Sequence, residues 1–390
     1  MTEMVYGTVV PQPNEAILPR WWRTVDKPTI VAILLLFAIG LLLGFAASPP
    51  LAERTGKDPF FYVERQALYG CVAFTLMFVL SMQPPETARR FALTLLALAL
   101  LGLLALPFVG TNLGKGAVRW LALPGMTLQP VEFVKPGMLV FSAWLIAASY
   151  DPKGPPGKLA SFAVTLVVVG LLALQPDFGQ ASLVLAGWLV LFYLSGASIV
   201  PLVLVLGLAA AGGFLAYGMS DHFAGRIDGY FAAEVDPRSQ IGYATDAIRS
   251  GGFFGAGLGE GSVKWTLPDA HTDFIIAVAA EEYGFFAVSV ILGLFAFIVA
   301  RSLLRLRAER DIFIRLAGAG LVLMFGAQAF INMGVAVRLL PTKGMTLPFI
   351  SNGGSSLVAS GIAMGLVLAF TRTRPRGDIE DIFQRRQARR

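Results

Sequence analysis

The sequence predicts an all-α, polytopic membrane protein of ten transmembrane helices, with one large outer loop between the seventh and the eighth. Three observations carry this expectation. The 390 residues are 56% hydrophobic and 14% charged, against about 45–50% and about 25% in soluble domains. Apolar runs recur at the length of a bilayer crossing, roughly 20 residues. The remaining charges are sorted between alternate loops. Such a composition excludes an ordinary soluble enzyme and a disordered chain. The single cysteine, Cys71, excludes an intrachain disulfide, and with only two histidines it makes no structural zinc site. No basic stretch interleaved with aromatics lies outside the apolar runs, so no nucleic-acid partner is expected.

Taken in order, residues 1–27 form a polar N-terminal tail carrying Arg20, Arg23 and Lys27. The run from Pro28 to Ser48 is long enough to span and is read as an uncleaved first helix, not as a secretory signal. Further runs follow at 66–83, 91–109, 133–150, 159–174, 180–196, 198–217, 274–300, 313–337 and 355–371. The run at 159–174 is short and the join near 197 is tight. Residues 28–371 thus form one membrane domain, with the large loop at 218–272 and a basic tail at 372–390. If both termini share one side, that side holds 19 Lys and Arg and the other 12. The positive-inside rule then places both termini in the cytoplasm. Acidic residues split the other way, 10 inside and 15 outside.

Ionisable groups near a membrane core are costly, so they mark candidate sites. Four outer clusters stand out. The large loop carries glycines at 251, 252, 255, 257, 259 and 261, which let backbone approach a ligand and present N–H groups to an anion. A plain irregular loop would look the same. The loop ends in Asp269, Ala270, His271, Thr272 and Asp273, where Asp273 opens an apolar helix; an acid there is also explained as a helix cap. Glu281 and Glu282, deeper in that helix, need partners inside the bundle. Before the fourth span, Arg119 precedes a helix start at Pro130 in which Glu132 and Lys135, three apart, can pair. Between the last two spans, residues 340–356 hold Lys343, Ser351, Gly353, Gly354 and Ser355 among prolines and glycines. Irregular backbone at this depth lines a cavity or is buried in protein. N–H groups at a helix start beside a mobile lysine suit a phosphate, and a transporter's broken helix would look similar.

These strings resemble the signatures of the SEDS family (shape, elongation, division and sporulation). P-T-K-G-M-T-L-P-F-I-S-N-G-G-S-S at 341–356 carries the resemblance most strongly. W-L-A-L-P-G-M-T-L-Q-P-V-E-F-V-K at 120–135 is similar to the family's R-W-I-x-x-G-x-x-x-Q-P-S-E-F-x-K, with Arg119 in front of it. Q-P-D-F-G at 175–179 and A-H-T-D-F-I-I-A-V-A-A-E-E-Y-G at 270–284 also match. Thr342-Lys343-Gly344 has the form of the family's division member; the elongation member usually lacks the lysine. The chain departs from the pattern at Asn352, where the family has Tyr, and at Arg338, where Gly or a small residue is common.

The resemblance implies a peptidoglycan glycosyltransferase of septal wall synthesis in the bacterial inner membrane, polymerising lipid II into β-1,4 glycan. It implies Asp273 as the catalytic acid-base residue. Lys343, Lys135 and Arg119 are the expected diphosphate partners, with Glu132, His271, Ser351, Gly353, Gly354 and Ser355 completing the substrate site. It further implies an FtsI-like class B penicillin-binding protein transpeptidase and other division proteins as partners, and a divalent cation, Mg²⁺ or Mn²⁺, for which no metal-ligand spacing is visible. A lipid II flippase and a division-machinery scaffold without catalysis remain alternatives. The collection of acids and glycines on the outer side favours the enzyme, because a flippase also needs polar groups along the path inward.

Overall fold

The computed structural model describes residues 16–111, 118–123, 126–219, 221–232, 236–341 and 344–373. Thirteen helices occur among them: α1 (Ile17–Thr24), α2 (Lys27–Thr55), α3 (Phe61–Ser81), α4 (Pro85–Val109), α5 (Pro130–Ala148), α6 (Gly157–Leu174), α7 (Phe178–Leu194), α8 (Ile199–Met219), α9 (Asp221–Phe231), α10 (Gln240–Gly251), α11 (Ile275–Arg307), α12 (Ile312–Ala336) and α13 (Gly354–Phe370). Eight of these, α2 to α6, α8, α11 and α12, are long and apolar enough to cross a bilayer. The apolar α7 and α13 have 17 residues each, about 25 Å at 1.5 Å per residue. Each of these ten helices coincides with a predicted apolar run, although α3 and α4 begin five and six residues before theirs and α2 and α11 extend about two turns past theirs.

Three features depart from the expectation. The chain is not purely helical: β1 (Leu121–Leu123) and β2 (Met126–Leu128) form an antiparallel hairpin before α5, with Leu121 opposite Leu128. The N-terminal tail contains α1, whose Trp21 is buried with its indole N–H donating to Ser81 Oγ (2.9 Å). The large loop is not irregular throughout, since α9, α10 and a 3-10 turn at Val263–Trp265 lie within it.

Local chemistry sets the helix ends. Asp311 caps α12 by accepting from the Phe313 and Ile314 N–H groups, and Ser239 caps α10 through Gly242. α2 stops at Gly56 in a left-handed conformation. Near both chain ends, buried Asp26 pairs with Arg301 (2.8 Å) and Arg305 (3.5 Å) and accepts from Thr29 (2.8 Å). Arg305 also donates to the Thr371 carbonyl (3.0 Å), so α2, α11 and α13 are tied there. The core runs through α12 and α13, buried along most of their lengths, whereas α8 buries only Val205.

The irregular element that positions the end of the bundle opposite Asp26 and Thr371 is the break in α11. Gly284 takes φ 74° and ψ −172°, a region open essentially only to glycine. The freed backbone pairs with the glycine-rich loop: Phe285 N–H donates to the Gly252 carbonyl (2.9 Å), and the Ala256 and Gly257 N–H groups donate to the carbonyls of Glu281 (2.8 Å) and Glu282 (3.2 Å). A Cβ at Gly284 would stand 2.4 Å from the Phe253 carbonyl oxygen, and one at Gly255 would stand 2.1 Å from that of Glu282. Gly284→Ala is therefore expected to destabilise the protein by at least about 1–3 kcal/mol. The measurements are a lowered thermal midpoint in detergent and faster proteolysis within 252–266; an unchanged midpoint would contradict the role of the break.

Candidate active site

Asp273 lies in the turn before α11, whose cap position is Phe274. The sequence places Asp273 at the helix opening; the structure starts the helix two residues later, so the cap explanation does not apply. Its N–H donates to the Asp269 carbonyl (3.1 Å), and Asp269 is itself left-handed at φ 54°. A Cβ added at Gly344 would lie 3.3 Å from Asp273 Oδ2, so the 344–353 segment runs directly against the carboxylate. Lys343, expected here from the sequence, lies outside the described residues.

Two asparagines and a serine stitch that segment to the 271–273 turn. Asn332 of α12 donates from Nδ2 to the carbonyls of Asp273 (2.9 Å) and Met345 (2.6 Å). Ser351 donates to the Thr272 carbonyl and accepts from the Leu347 N–H (2.8 Å). The Asn352 N–H donates to the His271 carbonyl (3.0 Å), and its side chain donates to the Tyr62 carbonyl (2.8 Å). The Tyr62 and His271 rings lie 5.8 Å apart. Gln66 holds the Ile350 carbonyl (2.9 Å), beside Phe349 at φ 63°.

Ser351 and Ser355, expected as substrate contacts, commit their hydroxyls to the protein. Ser355 donates to the Thr127 carbonyl and accepts from the Gln129 N–H, both at 3.1 Å, which clips β2 to the start of α13. Both serines are buried, and each satisfies backbone groups that have no water to turn to. The Gly353 N–H donates to the Ser351 carbonyl (3.0 Å). Gly354 opens α13 with no side-chain cap and leaves room for the Tyr69 ring, 2.7 Å from where its Cβ would be. Tyr69 accepts from Arg65 (3.0 Å). The sequence reading missed Asn332, Gln66 and Arg65; Asn332 and Gln66, polar residues inside apolar runs, were the available signal.

A second cluster lies beneath the hairpin. Glu132 and Lys135 of α5 pair at 2.9 Å as their spacing predicts, and both are buried, at 4% and 3% exposure. Gln180 of α7 donates to the second oxygen of Glu132 (3.0 Å). Arg119, expected as a diphosphate partner, donates to the carbonyls of Gln175 and Pro176 and lies 3.7 Å from Asp177. It holds the turn between α6 and α7. Burial lifts the Asp177 carboxyl above its ordinary value near 3.8, and Arg119 and the Gln180 N–H pull it back only in part.

The glycine-rich loop, read as a cradle for a foreign anion, receives the protein's own carboxylates. Glu281 accepts from the N–H groups of Val263 (2.7 Å) and Lys264 (3.2 Å), and Glu282 accepts from that of Gly259 (3.2 Å) and pairs with the Lys264 ammonium. Both glutamates thus find the partners that their depth demands.

Two outcomes follow from these contacts. Asn332→Leu leaves the Asp273 and Met345 carbonyls without this donor, at about 1–3 kcal/mol for each buried group. Hydrogen exchange should then rise in 344–353 more than in α12; equal protection in both proteins would refute the stitching. For Asp177, the folded value is raised, so its contribution is present below about 3.8 and is lost as pH rises through the folded value. Asp177→Asn should be at least as stable as wild type at pH 7 and should flatten the dependence of stability on pH in the acid range. Marked destabilisation at pH 7 would count against the burial argument.

Comparison with known proteins places this geometry. The family described as "cell cycle protein", comprising FtsW, RodA and SpoVE, matches residues 27–375. The chain is 42% identical over 363 residues to a probable peptidoglycan glycosyltransferase FtsW of Caulobacter vibrioides, covering 93% of each chain. It is 36% identical over 356 residues to a protein of the same description from Trichlorobacter lovleyi, covering 88% of this chain and 92% of that one. Among solved structures, it resembles the rod shape determining protein RodA of Thermus thermophilus (28% identity, TM-score 0.65, 90% of this chain and 97% of that one). It also resembles a chain of a peptidoglycan synthase complex that coordinates polymerization and crosslinking (29% identity, TM-score 0.72, 89% and 97%). A match over nearly the whole length, in sequence and in fold, establishes that the chain belongs to the FtsW/RodA/SpoVE cell cycle protein family, the SEDS family.

Proposed function

We propose that the chain is a peptidoglycan glycosyltransferase that polymerises lipid II in septal wall synthesis. The observation that carries this reading is the stitching of the 344–353 segment onto the turn that presents Asp273, in a chain alike over 93% of its length to a relative named probable peptidoglycan glycosyltransferase. In this reading α7 and α13 also cross, making ten spans. Both termini are cytoplasmic, the 218–272 region is periplasmic, and the membrane is the inner one at the septum. Asp273 takes the proton from the 4-hydroxyl of the acceptor GlcNAc. The hydroxyl oxygen bonds to C1 of the donor MurNAc, and the C1–O bond to the diphosphate breaks. The bonding pair leaves with undecaprenyl diphosphate, and the α-linked donor becomes a β-1,4 linkage. A half-buried carboxylate suits this role because it is held in place by its turn while remaining open to a hydroxyl brought within hydrogen-bond reach.

The leaving diphosphate needs positive charge and oriented N–H groups. Lys343, Lys135 and the uncapped start of α13 at Gly354 supply them, with Gly353 and His271 lining the sugar side. Glu132, Ser351, Ser355 and Arg119 act by holding these elements. Among the described residues no three of His, Cys, Asp or Glu converge on one point. A Mg²⁺ or Mn²⁺ would therefore ride on the diphosphate with Asp273 as protein ligand, neutralising charge. The relative solved as a synthase complex supports a class B penicillin-binding protein transpeptidase as partner, alongside other division proteins.

The flippase alternative has one observation in its favour, the buried charges of α5. Glu132 and Lys135 stop within two turns of the helix start, and the residues buried beyond them are apolar except Ser142, so no charged path continues inward. Asp273→Asn is expected to abolish glycan synthesis, a loss of at least about 100-fold, with the thermal midpoint unchanged. The assay reconstitutes the chain with its transpeptidase partner and lipid II in liposomes, scoring glycan strands and lipid translocation separately. Full polymerisation by a well-folded variant would refute the assignment, and translocation without polymer by wild type would favour the flippase.

A further inference from the structure

Gln180 joins two charge pairs, Glu132–Lys135 through its side chain and Asp177–Arg119 through its backbone N–H. Its Nε2 donates to Glu132 Oε1 at 3.0 Å, and its own N–H donates to Asp177 Oδ1 at 3.4 Å, where Asp177 faces Arg119 at 3.7 Å. Glu132 meets Lys135 through its other oxygen, Oε2, at 2.9 Å. Gln180 is buried, with 3% of its surface exposed. Its Oε1 has no hydrogen-bond partner among the described residues, and the Lys135 ammonium has none beyond its ion pair with Glu132.

An ammonium has three donors, and each carboxylate oxygen can accept more than one bond, so what matters is how the carboxylate is turned. Gln180 holds Oε1 on its own side, and Glu132 meets Lys135 through Oε2. The remaining ammonium donors are left uncommitted, in a side chain that lines a cavity with Gln328 of α12 and Ser360 of α13. Were Gln180 apolar, the carboxylate would be free to turn both oxygens onto the ammonium. The pair would then hold more of the lysine's donors and leave fewer for another anion.

We infer that Gln180 is a positioning residue: it confines Glu132 to a single contact with Lys135 and so keeps the lysine available to the substrate diphosphate. The inference rests on the reading of Lys135 as a diphosphate contact. The charged groups facing Gln180 are Glu132 and Lys135 from α5, and Asp177 with Arg119 at the α6–α7 turn.

Binding tests this without requiring turnover. The full chain in nanodiscs is titrated with undecaprenyl diphosphate, comparing wild type, Gln180→Leu and Gln180→Glu at pH 5.5 and 8. Gln180→Leu, which keeps the volume and removes the amide, should weaken binding about tenfold at both pH values. Gln180→Glu sets a second carboxyl beside Glu132, and two like charges at this distance share a proton. While that proton is present it restores a donor to Glu132; when it leaves, the donor is gone. Gln180→Glu should therefore bind like wild type at pH 5.5 and at least about tenfold more weakly at pH 8. A side chain that merely fills space would show no such recovery. Unchanged affinity in both variants, or a loss in Gln180→Glu that is independent of pH, overturns the inference. Wild type that fails to bind the diphosphate overturns it together with the role of Lys135. Wild type that binds but makes no glycan in the liposome assay refutes the polymerase reading alone.

Discussion

A backbone group inside a bilayer has no water to fall back on, and this constraint governs both irregular segments of the molecule. At the break in α11, the N–H groups of Ala256, Gly257, Gly259, Val263 and Lys264 all end on Glu281 or Glu282, by backbone carbonyl or carboxylate. The two adjacent acids are what allow a glycine-rich loop to enter the bundle. Lys264 supplies the balancing charge, bound also to the Gly259 carbonyl (3.0 Å). Without the acids the loop's donors would lack acceptors, and without the loop two carboxylates would be buried bare. Each half makes the other tolerable.

The same logic builds the site. The 344–353 segment cannot be helical, because Pro348 and the left-handed Phe349 interrupt any ladder. Its polar groups are met by Asn332, Gln66, Ser351 and Asn352. Those bonds also fix where Asp273 stands, because two of their acceptors are the carbonyls of Thr272 and Asp273. Satisfaction of buried backbone and placement of the candidate base are thus one set of contacts. Arg338 is a related compromise. The position adopts φ 60°, a conformation uncommon for any residue but glycine. The arginine bears that conformation while donating to the Ala232 carbonyl, and Tyr230 returns a bond to Leu339 (3.1 Å), which seats α9 on the turn after α12.

Much of this was legible in the amino-acid order. Lipid selects long apolar runs, so every membrane-embedded helix was readable as one, and i,i+3 spacing announced the Glu132–Lys135 pair. The acids of the 281–282 step were readable as groups needing partners, because their cost depends on depth and not on the neighbour's identity. The motif strings marked the candidate site along the chain. What they left open was the division of labour within it. A serine or glycine in a conserved-looking string reads the same whether it touches a substrate or a carbonyl. Ser351, Ser355 and Arg119 turned out to be bound to backbone that arrives from distant parts of the sequence.

Composition, periodicity and charge sorting determined on their own that this is a membrane-embedded helical protein, with its polar chemistry gathered at one end of the bundle. They act locally, over one helix turn or one bilayer crossing, so the sequence displays them directly. Tertiary structure alone decided which backbone each polar side chain would satisfy. The Asn332 bridge, the Gln180 link and the Glu281–Glu282 clamp join residues from 13 to 59 positions apart. Such pairings depend on how the helices pack, and no spacing rule along the chain encodes them.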